Sequence, residues 1–158
     1  MQFIKDLLPD TIELKENIKE LEGMVFADRA QVQDLMINMC NNAVYAMKEK
    51  GGILEVILTD IYIDNQSPYS EFIPGHYMKL TVRDTGTGMD KTVRERIFEP
   101  FFTTKKEGEG SGMGLAIVHG IVKGHNGEIL VESEEGKGSS FHIFLPICKN
   151  QDEKQQIR

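Results

Sequence analysis

Tryptophan is absent from this chain of 158 residues, and cysteine occurs only twice, at Cys40 and Cys148. Two cysteines make neither a disulfide framework nor a metal-binding spacing, which favours a reducing compartment. Apolar runs stay well short of the roughly 20 residues that a membrane-spanning helix needs. The opening segment, MQFIKDLLPD, lacks the apolar stretch of a secretion signal. These shortages predict a soluble, intracellular protein.

Basic residues are also in short supply, since 18 Lys and Arg stand against 25 Asp and Glu and give a net charge of −7. Broad nucleic-acid binding and docking on anionic lipid both need basic surface, so we expect neither. The hydrophobic fraction of 40% and the charged fraction of 27% are ordinary for a globular protein. The length fits one domain that buries a core without a disulfide or metal.

Hydrophobic periodicity and glycine positions predict an α/β fold, with one layer of helices on a mixed sheet. The predicted strands span residues 11–18, 53–63, 77–84, 128–134 and 139–147, and the predicted helices span 29–50, 91–97 and 113–123. The segment 85–114 is dense in glycine, threonine and charge. Loops of that length inside a compact domain are usually functional or disordered.

Two asparagines lie one turn apart on the long predicted helix. Asn38 and Asn42 follow a line with Asp34 and Tyr45 at the rim of the apolar face. Asparagine is a poor helix former, because its amide competes for backbone hydrogen bonds. The pair therefore either bonds a neighbouring turn or solvent, or presents an amide oxygen to Mg²⁺, which prefers oxygen ligands.

A carboxylate continues the apolar face of the strand 77–84. Asp84 follows Leu80 and Val82 at a period of two, so it is expected to point inward. An inward carboxylate needs a partner, which is either a cap or arginine, or the amino group of a ligand. Gly86 and Gly88 come directly afterwards and would let the backbone approach a flat ligand closely.

A second glycine-rich stretch runs into the predicted helix 113–123. Free amides at a helix start bind anions, and Lys105 and Lys106 just upstream would add positive charge. A flexible linker with a solvated lysine pair has the same composition. The stretch matches neither a P-loop nor a Rossmann fingerprint. Its glycines are Gly110, Gly112 and Gly114.

Four stretches occur in order along the chain: NMCNNA from Asn38, DTGTGM from Asp84, IFEPFFTTK from Ile97 and GSGMGLA from Gly110. They resemble the N box, first glycine box, F box and second glycine box of the catalytic ATP-binding domain of sensor histidine kinases. That domain shares a superfamily with gyrase, heat-shock chaperones and MutL-type ATPases. The resemblance covers residues 11–146. It implies a Bergerat fold, a two-layer α/β sandwich with a mostly antiparallel sheet, about three helices and a mobile lid over ATP at 90–111.

The resemblance also implies roles for individual residues. Asn42 corresponds to the Mg²⁺ ligand, Asp84 to the acceptor of the adenine amino group, and Asn38 and Lys105 to catalytic residues near the phosphates. Phe98, Phe101 and Phe102 correspond to lid aromatics, for which core packing is the alternative, and Ser140 to a contact on the adenine side. The other implied nucleotide contacts are Tyr45, Gly86, Gly88, Met89, Thr103, Thr104, Gly110, Ser111, Gly112, Met113, Gly114 and Leu115.

The chain departs from the family pattern at two points. Tyr45 stands where many of these kinases have a basic residue, which shifts weight to Lys105 or Lys106 for phosphate charge. None of the four histidines lies in a phospho-acceptor motif. The resemblance therefore implies an excised catalytic domain. Residues 1–10 would be the stub of a linker from a missing dimerisation domain, 11–148 the catalytic domain and 149–158 a polar tail.

The implied function is binding of ATP and Mg²⁺ and transfer of the γ-phosphoryl group to a histidine on a separate dimerisation domain, in two-component signal transduction. A response regulator receiver domain would be the next partner. The isolated domain is expected to be monomeric, cytoplasmic and inactive in autophosphorylation alone, whether or not the full-length protein has a membrane anchor. The alternatives are an anti-sigma-type serine kinase, an ATPase of the same superfamily and a nucleotide-sensing module without transfer activity.

Overall fold

The computed structural model describes residues 2–69 and 71–148, so the predicted tail 149–158 lies outside the described residues. Over this range the chain forms four helices and five strands. In chain order these are α1 (Gln2–Leu7), β1 (Ile12–Ile18), α2 (Arg29–Ala46), β2 (Gly52–Ile63), β3 (Gly75–Asp84), α3 (Lys91–Arg94), α4 (Gly114–Gly124), β4 (Glu128–Glu134) and β5 (Gly138–Pro146).

The strands form a single mixed sheet in the order β1-β2-β3-β5-β4. β1 pairs with β2 in parallel, and the other three pairings are antiparallel. The mixed, mostly antiparallel sheet predicted from the sequence is thereby confirmed. All five predicted strands are present, and their ends lie within two residues of the predicted ones.

Helices α2 and α4 cover one face of the sheet and form the main core with it. Met39 and Cys40 of α2 and Val118 and Val122 of α4 are fully or almost fully buried. They pack against inward-facing aliphatic side chains of the strands, such as Leu54 of β2. This arrangement confirms the α/β sandwich.

Helix α2 carries the two asparagines, and its ends are set by local chemistry. Asp28 caps the start, because its side chain accepts a hydrogen bond from the Gln31 amide. The helix ends at Ala46, so the predicted end at residue 50 was wrong by four residues. Residues 47–50 form a turn that leads to Gly51, whose φ of 66° suits the reversal into β2.

Residues 2–7, which the sequence predicted as part of a linker stub, form the short helix α1. α1 packs against α2, and the Ile4 side chain is fully buried in the main core. The sequence reading had not foreseen a helix here.

The opposite face of the sheet carries a second, smaller cluster. Phe144, Ile63 and Tyr77 are buried there, and Tyr69 and Phe72 from the loop after β2 pack against them. Among the described residues, no helix has both the length and the apolar character that crossing a membrane requires.

Candidate functional site

A cavity of about 640 Å³ lies between α2, the end of β3 and the segment that leads into α4. It brings together most of the residues that the sequence singled out. Those that line it are Asn38, Asn42, Tyr45, Asp84, Gly88, Met89, Phe102, Thr103, Thr104, Lys105, Gly110, Ser111, Gly112, Gly114 and Leu115.

Asp84 provides a buried carboxylate at the inner end of the cavity. Its exposed fraction is 6%, and its Oδ1 accepts a hydrogen bond from the Gly86 amide at 2.9 Å. Burial raises the pKa of this carboxyl, while the backbone amides of Gly86 and Ser139 act in the opposite direction. The adjacent Arg83 pairs with Glu55, at 3.2 Å. Arg83 thus pairs with a different carboxylate, and a ligand N–H group that enters the cavity would meet the buried carboxylate of Asp84 as its acceptor.

The two asparagines on α2 are fixed differently. Asn38 Nδ2 donates a hydrogen bond to the Asp34 carbonyl at 2.9 Å, and its Oδ1 lies next to the start of α4. Asn42 Oδ1 accepts a hydrogen bond from Lys105 Nζ at 3.4 Å. Asn42 Nδ2 is buried and has no hydrogen-bond partner among the described residues. A buried amide group without a hydrogen bond is costly, and among the described residues only the oxygen of the Asn42 side chain has a partner.

Lys105 places a cation beside Asn42. Its Nζ lies 4.6 Å from the centroid of the Tyr45 ring as well as within reach of Asn42. Burial lowers the pKa of Lys105, and the carboxylate of Glu109 partly offsets this. A partly desolvated ammonium group in a cavity is well suited to receive an anion.

The residues present fit a magnesium ion that takes most of its ligands from a bound nucleotide and water. Within residues 2–69 and 71–148, no group of three or more His, Cys, Asp or Glu side chains could hold a metal. Mg²⁺ rarely uses an all-protein cage and is usually held by one or two protein oxygens together with phosphates. Asn42 Oδ1, which accepts a long hydrogen bond from Lys105 Nζ at 3.4 Å, offers one such oxygen.

The second glycine stretch contacts the F box just before α4 begins. Phe101 N donates a hydrogen bond to the Gly112 carbonyl at 3.0 Å, and Gly112 has a φ of 70°. A Cβ at Gly112 would collide with the backbone of Phe101. α4 then begins at Gly114 without a side-chain cap. Its first amides therefore stay available at a lining of the cavity.

Five predicted contacts do not line the cavity. Gly86 lies against α2, where a Cβ would come within 2.7 Å of Ala46 Cβ. Phe98 packs on the main core with its ring centroid 5.2 Å from that of His119. The side chain of Phe101 is 78% exposed. The other two are Met113 and Ser140.

The serine that lines the cavity beside Asp84 is Ser139 and not the predicted Ser140. Ser139 is paired with Asp84 in the β3–β5 register, is buried and lines the cavity. Ser140 is paired with Arg83 and accepts a hydrogen bond from its Nε at 3.1 Å. Because side chains alternate along a strand, the partner of an inward Asp84 also faces inward. The strand register, once known, would have identified Ser139.

Besides Ser139, ten residues line the cavity that the sequence reading had not assigned to it: Asn41, Val44, Ala46, Lys48, Thr87, Val93, Ile97, Glu109, Ile117 and Phe141. Asn41 and Lys48 come from α2 and the turn after it, Glu109 from the lid and Ile117 from α4. Asn41, Thr87 and Ile97 lie inside the boxes but had been given no role, whereas no box motif marks the other seven positions.

The cavity and the sandwich that carries it define a class of ATPase. The profile described as "Histidine kinase-, DNA gyrase B-, and HSP90-like ATPase" matches residues 27–149, which is most of the chain. The chain therefore belongs to this family. Within it, the chain is a catalytic ATP-binding domain of the histidine kinase type, as its relatives show.

Two curated relatives illustrate this. The sensor kinase CckA of Brucella abortus (strain 2308) is 41% identical over 142 residues, which are 89% of this chain and 15% of CckA. The sensor histidine kinase ZraS of Escherichia coli (strain K12) is 34% identical over 136 residues, which are 86% of this chain and 26% of ZraS. The chain thus spans only a small part of the length of either relative.

Solved structures agree on the fold. The mycobacterial sensor histidine kinase MprB matches with a TM-score of 0.72 and 27% identity, over 94% of this chain and 91% of that one. The catalytic domain of the histidine kinase ThkA, in a nucleotide-free form, matches with a TM-score of 0.68 and 26% identity, over 92% and 84%. Full-length ShkA in complex with AMPPNP matches with a TM-score of 0.71 and 25% identity, over 94% and 29%.

Proposed function

We propose that this chain binds ATP with Mg²⁺ in the described cavity and transfers the γ-phosphoryl group to a histidine on a separate dimerisation domain. A response regulator receiver domain would then accept the group, in the cytoplasm. The observation that carries the proposal is that the buried carboxylate of Asp84 and the amide of Asn42 line one cavity. Its volume of about 640 Å³ is in the range of small-molecule and cofactor sites.

The adenine end is assigned to Asp84. Its carboxylate accepts hydrogen bonds only, and adenine presents an amino donor at its edge. Burial makes this acceptor costly to leave without donors, so an adenine amino group gains more here than it would at an exposed carboxylate. Ser139 and Gly88 complete the walls at this end.

The phosphate end is assigned to Lys105, Asn42 and the amides at the start of α4. Lys105 supplies positive charge, and the uncapped amides of Gly114 and Leu115 at the start of α4 supply hydrogen-bond donors. Mg²⁺, held in part by the Asn42 oxygen, would neutralise charge on the phosphates when bound. Phosphoryl transfer needs positioning and charge stabilisation above all, and these groups provide both.

Asn38 favours transfer to a protein nucleophile over hydrolysis. Asn38 lines the cavity next to Gly114. A true ATPase of this superfamily would be expected to carry a glutamate, acting as a general base, at this position. An amide cannot take a proton from water at neutral pH, so hydrolysis should be slow.

The acceptor must come from another domain, because all four histidines lie in the described residues and none lines the cavity. His142 is held between Thr81 and Glu132, and His125 accepts a hydrogen bond from the Asp28 amide. We therefore expect no autophosphorylation by the chain alone.

The test combines the chain, a cognate dimerisation domain and ATP labelled at the γ-phosphate. Acid-labile phosphohistidine on the added domain is the expected product. Acid-stable phosphoserine on a partner would instead favour the anti-sigma-type kinase, and rapid release of phosphate without a partner would favour the ATPase. Nucleotide binding without transfer under any of these conditions would leave only the sensing module.

A further inference from the structure

An ion cluster on the cavity wall at the end of α2 contains two residues, Lys48 and Glu109, that have no part in the contacts proposed so far. The lid residue Glu109 accepts a hydrogen bond from Tyr45 Oη at 2.9 Å and pairs with Lys48 Nζ at 3.4 Å. Lys48 Nζ lies 4.2 Å from the centroid of the Tyr45 ring, and Lys105 Nζ lies 4.6 Å from it. All four side chains line the cavity.

The two donors converge on a single atom. The hydroxyl of Tyr45 and the ammonium of Lys48 both contact Oε2 of Glu109. Two donors, one of them charged, that hold one anionic oxygen form the arrangement that also holds a phosphate oxygen. Tyr45 at the end of α2 and Lys48 in the turn after it are three residues apart, and both line the cavity.

We propose that Tyr45 and Lys48 form a phosphate-binding pair for the nucleotide, and that Glu109 occupies this pair until the nucleotide displaces it. The inference rests on the proposed function, since it requires a nucleotide in the cavity. The single O–H of Tyr45 cannot donate to a carboxylate oxygen and a phosphate oxygen at once, and the charges of the two anions repel. Binding of the triphosphate therefore releases Glu109, and with it the lid, from the end of α2.

Two substitutions break the same ion pair from opposite sides and separate this competition from a structural role. Lys48→Ala removes a phosphate contact, so MgATP should bind about three- to tenfold more weakly. Glu109→Gln removes the competing charge, so MgATP should bind about two- to fivefold more tightly. If the ion pair merely fixed the lid, both variants would lose that fixation and shift in the same direction.

Isothermal titration calorimetry with MgATP and, separately, with adenosine measures these shifts. Adenosine carries no phosphate, so its affinity should change by less than about twofold in both variants. Lys50→Ala is the matched control, because Lys50 is exposed, does not line the cavity and carries the same charge. Melting temperatures without nucleotide should stay within about 2 °C of the wild type for these surface positions.

Opposite shifts for Lys48→Ala and Glu109→Gln, with Lys50→Ala unchanged, support the inference. Any other combination overturns it, provided that the wild type binds MgATP. A wild type with no affinity for MgATP would overturn the proposed function itself, and the inference with it. The two failures are thus distinguished by the wild-type titration, which precedes the variants.

Discussion

The ionised carboxylate of Asp84 should lower the stability of the nucleotide-free protein and should strengthen the binding of ATP. Its folded-state pKa is raised by burial, so the folded protein holds this proton more tightly than the unfolded chain. Stability is then lost as the pH rises through the unfolded pKa of about 3.9 towards the folded value. At neutral pH the ionised carboxylate destabilises the nucleotide-free protein.

Asp84→Asn should therefore weaken ATP binding by at least about tenfold and leave the melting temperature of the nucleotide-free protein at or above that of the wild type. The asparagine oxygen can still accept from Gly86, but its amino group would then confront the amino group of adenine. Calorimetric titration and thermal unfolding at pH 7 measure the two effects. Asp10→Asn, at an exposed position, is the control. Unchanged ATP affinity in Asp84→Asn would remove this residue from the pocket.

Asn42→Ala should abolish the dependence of ATP binding on Mg²⁺ and leave adenosine binding unchanged. The reason is that the amide oxygen is the one protein ligand assigned to the ion, and the adenine end lies elsewhere. Because Asn42 Nδ2 is buried without a partner among the described residues, its removal should cost little stability. ATP titrations with and without Mg²⁺ test this, with Asn65→Ala in an exposed loop as the control. A variant that still binds ATP more tightly with Mg²⁺ would refute the metal assignment.

Single residues were predictable where a local period determined them. The inward aim of Asp84 followed from the alternation in β3, and the rim position of Asn38 and Asn42 followed from helical geometry. The choice between Ser139 and Ser140 was not predictable, because it depends on which residue of β5 lies opposite Asp84. That pairing is a long-range property of the sheet.

At the scale of elements, glycines of similar appearance have different functions. Gly88 has a φ of 66°, and a Cβ there would collide with the carbonyl oxygen of Glu134 in β4. Gly120 lies inside α4, and a Cβ there would meet nothing within 4 Å. The first glycine lets a loop lie against the β4–β5 hairpin, whereas the second has no steric reason to be glycine.

Gly88→Ala should destabilise the domain by about 2–4 kcal/mol, through backbone strain and the collision with the hairpin. Gly120→Ala should stabilise it by about 0.5–1 kcal/mol, because alanine favours the helix and restricts the unfolded chain. Urea unfolding of both variants measures the free energies. Similar values for the two substitutions would contradict the described environments.

The ends of elements were harder to predict than their existence. The cap of α2 at Asp28 is a local hydrogen bond to the amide three residues on, whereas the end of the helix depends on the turn through Gly51 against the residues ahead of β1. Helix α1 is short, and its burial depends on a partner helix that is distant in the sequence. A local pattern carries no information about such a partner.

At the scale of the whole molecule, ligand binding should appear as stabilisation of the single domain. ATP at about one hundred times its dissociation constant adds about 2.7 kcal/mol to the folded state. For a domain of this size that corresponds to a rise in melting temperature of about 5–10 °C. GTP should raise it far less, because guanine presents an oxygen acceptor to Asp84 where adenine presents an amino donor.

Thermal shifts with ATP, ADP and GTP at equal concentrations test this order, with Asp84→Asn as the variant in which the discrimination should be lost. An equal response of the wild type to ATP and GTP would show that the purine edge is not recognised at Asp84.

The fold itself was predictable at this scale, since the motifs and the alternation of elements both indicated one sandwich. The second cluster around Phe144 was not, because it is closed by a loop without a periodic pattern.

The burial of Ile4 has a practical consequence for anyone who trims this polypeptide. A version that starts at residue 11 would lack a side chain that is fully enclosed beside the helix bearing Asn38 and Asn42. The void left behind would cost about 2–5 kcal/mol, a large fraction of what a typical domain possesses. Such a truncated protein would bind nucleotide weakly because its core is less well packed and its fold less stable, although every pocket residue is still in the sequence.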